Sequence, residues 1–222
     1  MFTYSLSGLE IKGSADTLQE VEENECTARS AVYQVLGQIF APPGPDQAGK
    51  FRDGRWAKEL STGAELLPFE FAIDESAGNG DLSDPEYAAE WERLFGDDSA
   101  DASPLRSGTH LPGTAVSEVQ REYEYFGLAT GGGDLPPDHL STECEFMGFV
   151  CFKEASVTSD RLRASYRRAQ ADFLGRFLAS WVPAMVATAR SQSPAGPIEW
   201  ALARLEHFVQ ADRAYLASLL GT

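Results

Sequence analysis

The chain has 222 residues, enough for one domain with a substantial core and marginal for two. Its 34 acidic against 18 basic residues, a formal charge of −16, repel phosphates and argue against a general nucleic-acid-binding role. Hydrophobic residues make up 43%, ordinary for a globular protein rather than a disordered one, and no apolar run is long enough to insert into a membrane as a span.

Residues 1–14 carry no basic region followed by an apolar core, so they are expected to be flexible rather than a secretory signal. Leu18, Val21, Ala28, Val32, Val35, Leu36 and Ile39 then recur at helical spacing and predict a long first helix that ends before Pro42-Pro43. Lys50 to Leu60, with Phe51, Trp56 and Leu60, predicts a shorter helix, and Ala64 to Ile73 another that Pro68 kinks or breaks. Asp84-Pro85 reads as a cap followed by a first-turn proline, with Glu86 at the positive end of the dipole. Behind it Tyr87, Trp91, Leu94 and Phe95 share one side of a helix.

From Gly96 to Gly113 the chain is rich in Gly, Pro, Ser and Asp and reads as a long loop. Thr114 caps a predicted helix carrying Val116, Val119, Tyr123 and Phe126, which Gly127 ends, and Gly131-Gly132-Gly133 forms a flexible link. Pro136-Pro137 stops whatever precedes it, and Asp138 is placed to cap the next helix. Leu140, Cys144, Met147 and Cys151 form one face of that helix and Phe146, Phe149 and Val150 a second, so it is expected at the centre of the fold. Thr158 or Ser159 starts a helix with Leu162, Tyr166, Ala169, Phe173, Phe177 and Trp181 inside and Arg161, Arg163, Arg167 and Arg168 largely outside, bent or ended by Pro183. A last helix begins near Pro197 and carries Ile198, Leu202, Leu205, Val209, Leu216 and Leu219. No β-alternation and no internal repeat is present. The expectation is an all-α, single-domain helical bundle over residues 1–222.

Three cysteines, Cys26, Cys144 and Cys151, cannot all pair, and two lie on one buried-looking helix. That usage suits a reducing compartment and predicts a cytoplasmic protein. His139 and Glu143 share a helix face with Cys144 beside them, but one such pair falls short of a metal site. The chain has no CxxC, HExxH, phosphate-binding Gly-Lys-Ser/Thr loop or GxSxG elbow. Neither a cofactor nor a catalytic residue is therefore predicted. Asp138-His139 as an acid–base pair would need both groups to converge on one atom, which neighbours at a helix start rarely do. Between Glu70 and Asp101 lie eleven acidic residues and one basic residue, Arg93. Trp91, Leu94 and Phe95 within that stretch read either as a core face or as an apolar groove rimmed by carboxylates.

The wording Pro-Pro-Asp-His-Leu followed by Glu-Phe-Met-Gly-Phe, over 136–149, resembles the hallmark segment of the TorD/DmsD/NarJ family of redox-enzyme maturation chaperones. The resemblance extends from about Arg29 to Leu220. Arg29 to Phe40 with Tyr33 and Pro42-Pro43 is similar to the family's first helix, Glu90 to Gly96 to its aromatic-x-x-Leu-Phe segment, and Val119 to Leu128 to its aromatic-x-Gly helix end. Trp181-Val182-Pro183 fits a later helix end. The loop from Leu105 to Leu111 departs from the aromatic-Glu-Ser-x-Tyr wording of many relatives, and Cys144 stands where leucine is common. The branch serving type II dimethyl-sulfoxide-reductase-like enzymes is the most similar.

What the resemblance implies is a non-catalytic chaperone. It would bind the N-terminal or twin-arginine signal region of an apo molybdopterin-oxidoreductase catalytic subunit, assist cofactor loading and delay export. Client-contacting residues would be Trp91, Leu94, Phe95, Pro104, Ser107, Tyr123, Pro137, Asp138 and His139. The alternatives are a small hydrolase or nucleotide-binding protein centred on Asp138 and His139, or a helical adaptor with no signal-peptide client.

Overall fold

A computed structural model of the protein describes residues 18–76, 80–96, 102–111, 113, 116–128 and 135–221. The N-terminal stretch expected to be flexible, the Thr114 cap and the Gly131–Gly133 link lie outside the described residues. Among the described residues there are ten helices and no strand, and a single isolated antiparallel bridge joins Arg106 to His139. The all-α expectation holds, and the described helices share one hydrophobic core. No described helix is long and apolar enough to cross a membrane.

Helix α1 spans Leu18–Ile39, and the chain turns away before Pro42-Pro43 as the sequence requires. The expected helix from Lys50 to Leu60 is in fact two, α2 (Gln47–Arg52) and α3 (Arg55–Ala64). Gly54 divides them at φ 75°, a left-handed conformation that glycine enters without a Cβ penalty. No helix covers Ala64 to Ile73. The chain there forms an irregular strap across the last helix, α10 (Gly196–Leu220), with Phe69 and Phe71 packed on Phe208. Trp200 Nε1 donates to the Asp74 carbonyl at 3.1 Å and Arg204 to that of Ala72, supplying partners the strap's backbone lacks. Helix α4 (Asp84–Phe95) is capped by Ser83 rather than Asp84, because Ser83 and Glu86 form a reciprocal capping box.

One short helix interrupts the loop expected between Gly96 and Gly113: α5, Ser107–His110. Helix α6 (Val116–Tyr125) leads to α7 (Leu140–Ala155), which is buried along nearly its whole length. It lies against α1, where Ser30 Oγ donates to the Gly148 carbonyl at 2.7 Å. The helix predicted to run on to Trp181 breaks at Phe177 into α8 (Asp160–Arg176) and α9 (Leu178–Ser191). Pro183 sits within α9 without ending it. The carbonyl of Ala179, deprived of its donor by that proline, instead accepts from Gln210 Nε2 on α10 at 3.2 Å.

Polarity on α8 also differs from expectation. Leu162 is 51% exposed, whereas Arg163 is buried against Glu22 at 2.7 Å and Arg167 meets Glu154 at 2.5 Å. The reason is a buried ionic network joining four helices. Arg29 on α1 forks onto Asp212 of α10 (2.5 and 3.0 Å) and also donates to Gln170 of α8 at 2.6 Å. Tyr33 donates to the same Asp212 at 2.8 Å, and Gln170 passes the chain to Glu154 of α7 at 2.7 Å. Of the inward arginines of α8, Arg167 joins Arg29 in neutralising the buried Glu154, and Arg163 pairs with Glu22 of α1.

Candidate functional site

The segment that carries the strongest resemblance folds into a junction where α5 and the preceding loop meet the start of α7. Backbone bonds pair the two stretches: Ser107 N donates to the Asp138 carbonyl at 2.9 Å and Leu140 N to that of Leu105 at 2.8 Å. Pro137 supplies no amide, so its carbonyl is its one backbone group, and it accepts from Tyr123 Oη of α6 at 2.7 Å. Thr142 Oγ1 reaches the Pro136 carbonyl at 3.0 Å. Three elements therefore converge on five residues of sequence.

Asp138 does not cap α7. Its carboxylate is buried and accepts from Arg106 Nε at 3.0 and 3.2 Å, with Arg106 Nη2 at 3.0 Å and Gly108 N at 3.3 Å. The cap is His139, whose Nδ1 accepts from Ser141 N at 3.1 Å. Of the two adjacent residues aspartate is the better N-cap by type, but the buried guanidinium draws its carboxylate across to the loop and leaves the cap to His139. Gly108 is required at its position, since a Cβ there would lie 2.9 Å from Asp138 Oδ2. With its carboxylate held by Arg106 and the His139 ring turned to the helix start, the pair does not converge on a common atom. The hydrolase reading loses its chemistry.

Beneath the ion pair lies Glu143, fully buried on α7. Its Oε2 accepts from Trp181 Nε1 of α9 at 3.0 Å, while Oε1 and the neighbouring Ser107 and Ser141 hydroxyls have no well-aligned partner. Burial pushes the Glu143 carboxyl up to about 8, opposed by Ser107 and Trp181 and reinforced by the Asp138 charge. His110 stacks on Trp181 at 5.3 Å and its Nε2 lies 2.8 Å from the Pro104 carbonyl, so α9 also contacts the loop. Among the described residues no group of three or more His, Cys, Asp or Glu side chains could hold a metal ion.

Of the residues singled out from the sequence, the structure brings Pro104, Ser107, Tyr123, Pro137, Asp138 and His139 into this junction. Trp91, Leu94 and Phe95 are elsewhere and are not a groove. They are 3, 2 and 1% exposed and pack with Phe40 in the core, Trp91 to Phe95 at 4.7 Å between ring centres. Part of the acidic back of α4 is also engaged within the chain: Glu90 holds Arg93 and the Ala195 amide, and Glu86 holds Ser83. Sequence reasoning did not assign Arg106 or Trp181 to the site and weighed Glu143 only as a metal-ligand partner of His139. A glutamate set between Leu140 and Met147 on an apolar helix was the one available signal.

Similarity to known proteins covers this region and most of the chain. Residues 58–187 match the family described as nitrate reductase delta subunit. The selenate reductase assembly chaperone protein of Thauera selenatis is 30% identical over 162 residues, 70% of this chain and 74% of that one. The chlorate reductase assembly chaperone protein of Ideonella dechloratans is 34% identical over the same shares. The perchlorate reductase assembly chaperone protein of Dechloromonas aromatica is 31% identical over 70% of this chain and 75% of its own.

Proposed function

We propose how this chain, a non-enzymatic assembly chaperone that belongs to the nitrate reductase delta subunit family (the NarJ/TorD type), handles its client. It binds the N-terminal, twin-arginine-bearing region of an apo molybdopterin-oxidoreductase catalytic subunit, assists loading of the cofactor and delays export until loading is complete. The similarity to three reductase assembly chaperones along most of the chain carries this reading. The α5–α7 junction is the contact surface proposed here.

The α5–α7 junction supports a client-binding role because it joins half-buried apolar residues, Pro104 and Pro137, to a buried polar layer. The prolines offer a rigid edge. Asp138, Arg106 and His139 set the position of that edge from below, through the Ser107, Gly108 and Ser141 amides. A client segment lying along it would gain apolar burial with little ordering cost on the chaperone side.

Capture tests this. The tagged protein is recovered from cells that make their own molybdoenzymes, and the bound partner is identified by mass spectrometry. The expected partner is a reductase catalytic subunit lacking its cofactor, and Asp138→Asn and His139→Gln should retain less of it at equal folded fraction. Recovery of no reductase subunit by the unmodified protein would overturn the reading. Full recovery by both variants would remove the junction from it.

A further inference from the structure

The second place where the chain departs from its expected pattern is the seam between the end of α6 and α8. Four large apolar side chains stand out as exposed among the described residues, Val21, Tyr125, Leu162 and Leu219. Two of them, Tyr125 at 81% and Leu162 at 51%, line one groove of about 390 Å³, floored by Phe126, Tyr166 and Ala169 and edged by Ser165. Phe126 stacks on Tyr166 at 6.0 Å and Tyr125 meets Phe126 edge-on at 5.2 Å, so the walls are held by aromatic contacts. An open groove of this kind, walled by large apolar side chains, marks an interaction site more often than a scattered exposed leucine does.

Charge identifies what fits it. Helix α8 carries five arginines, and three are committed: Arg163 to Glu22, Arg167 to Glu154 and Glu22, Arg176 to Asp172 and Glu122. Arg161 and Arg168 are exposed and, among the described residues, have no carboxylate partner. They stand four residues before and three after Ser165, which places both on the groove's solvent-side flank. Across the seam, Arg121 lies one turn before Tyr125 on α6 and is likewise exposed and unpaired among the described residues. On a chain of net charge −16, three exposed guanidinium groups without a carboxylate partner among the described residues flank one apolar groove.

We infer that the α6–α8 groove is a second docking surface, taking an acidic segment of the client reductase subunit: a bulky apolar side chain enters between Tyr125 and Leu162, and carboxylates within a turn on either side reach Arg121, Arg161 and Arg168. The inference rests on the chaperone reading above but concerns a different face and the opposite charge from a twin-arginine segment. The acidic segment would be steered to the groove and held by charge-assisted hydrogen bonds, with the apolar anchor providing most of the affinity.

The test uses the apo reductase subunit identified by capture, titrated against the full-length chaperone and two variants, Leu162→Asp and the double reversal Arg161→Glu with Arg168→Glu. All three substituted side chains are exposed, so melting curves should coincide with the unmodified protein. Leu162→Asp should weaken binding by at least about tenfold, the scale of losing an interface anchor. The double reversal should weaken it several-fold at low salt, with the gap closing as salt rises. A photo-reactive phenylalanine analogue at position 162 should cross-link to a stretch of the subunit holding an apolar residue beside Asp or Glu. Unchanged dissociation constants for both variants, a cross-link only to a second copy of this chain, or no cross-link would each overturn the groove while leaving the chaperone reading intact. If the unmodified protein binds no reductase subunit, the chaperone reading fails first and the groove with it.

Discussion

Two buried guanidinium–carboxylate pairs among the described residues, Arg29–Asp212 and Arg106–Asp138, are built differently. Arg29–Asp212 is closed: four helices contribute, and Arg29, Tyr33, Gln170 and Glu154 satisfy one another in sequence. The Asp212 carboxylate holds the Arg29 guanidinium above its usual range despite the opposing effect of burial. Arg106–Asp138 is open: it fastens a loop to a helix start and sits on a carboxyl, Glu143, whose one well-aligned donor is Trp181. A fully satisfied network fixes the relative positions of whole helices. A less completely satisfied one leaves polar capacity beneath a loop, which can then shift without disturbing the bundle.

Asp212→Ala should have the largest effect. Removing one partner leaves Arg29 charged in the core, a change that costs about 3–5 kcal/mol in buried pairs, read as a lower denaturant midpoint. A loss below about 1 kcal/mol would mean that Gln170 and Glu154 suffice and that the network is less closed than its geometry indicates.

Glu143 gives the next effect, and its sign is fixed. The carboxyl titrates near 4.5 when unfolded and near 8 when folded, so between those values the folded state holds the extra proton. Stability from this group is fully present below about pH 4.5 and is lost as pH rises through about 8. Urea titrations should show a slope of up to ~1.4 kcal/mol per pH unit in that window. Glu143→Gln should flatten that slope and leave Asp212→Ala effects unaltered. A slope that persists in Glu143→Gln would assign it to another group.

The smallest change is expected from His139→Asn. Asparagine caps as well as any residue, so the Ser141 amide keeps an acceptor and the stability loss should stay below about 1 kcal/mol, the scale of losing a cap outright. A loss as large as that of Asp212→Ala would show that the junction is as closed as the helix network and erase the contrast.

Both ends of that contrast were unequally legible in the sequence. The long helices α1, α7 and α10 follow from apolar spacing and from prolines at their boundaries, because those signals are local. The division of α2 from α3 turns on the conformation of Gly54, and the helix that Pro68 was expected to kink or break does not form, because the chain leaves helical structure at Ala64, ahead of the proline. Asp138 and His139 were marked, yet which of them caps depends on Arg106, thirty-two residues away. In the same way Trp91 and Phe95 present one helical face whether they meet a core or a ligand, and the aromatic ring of Phe40 settles it. Local chemistry placed the residues; partners distant in sequence assigned their tasks.

The proline inside α9 carries a consequence for descent. Pro183 is tolerated mid-helix because Gln210, on another helix, occupies the carbonyl that the ring leaves empty at Ala179. Each residue makes the other useful. A lineage that exchanged Pro183 for alanine would restore the helical amide and release position 210 to drift, whereas one that lost Gln210 first would carry an unanswered carbonyl until the proline followed. The two sites should therefore change together across relatives, with the order of change set by which intermediate leaves no buried group unanswered.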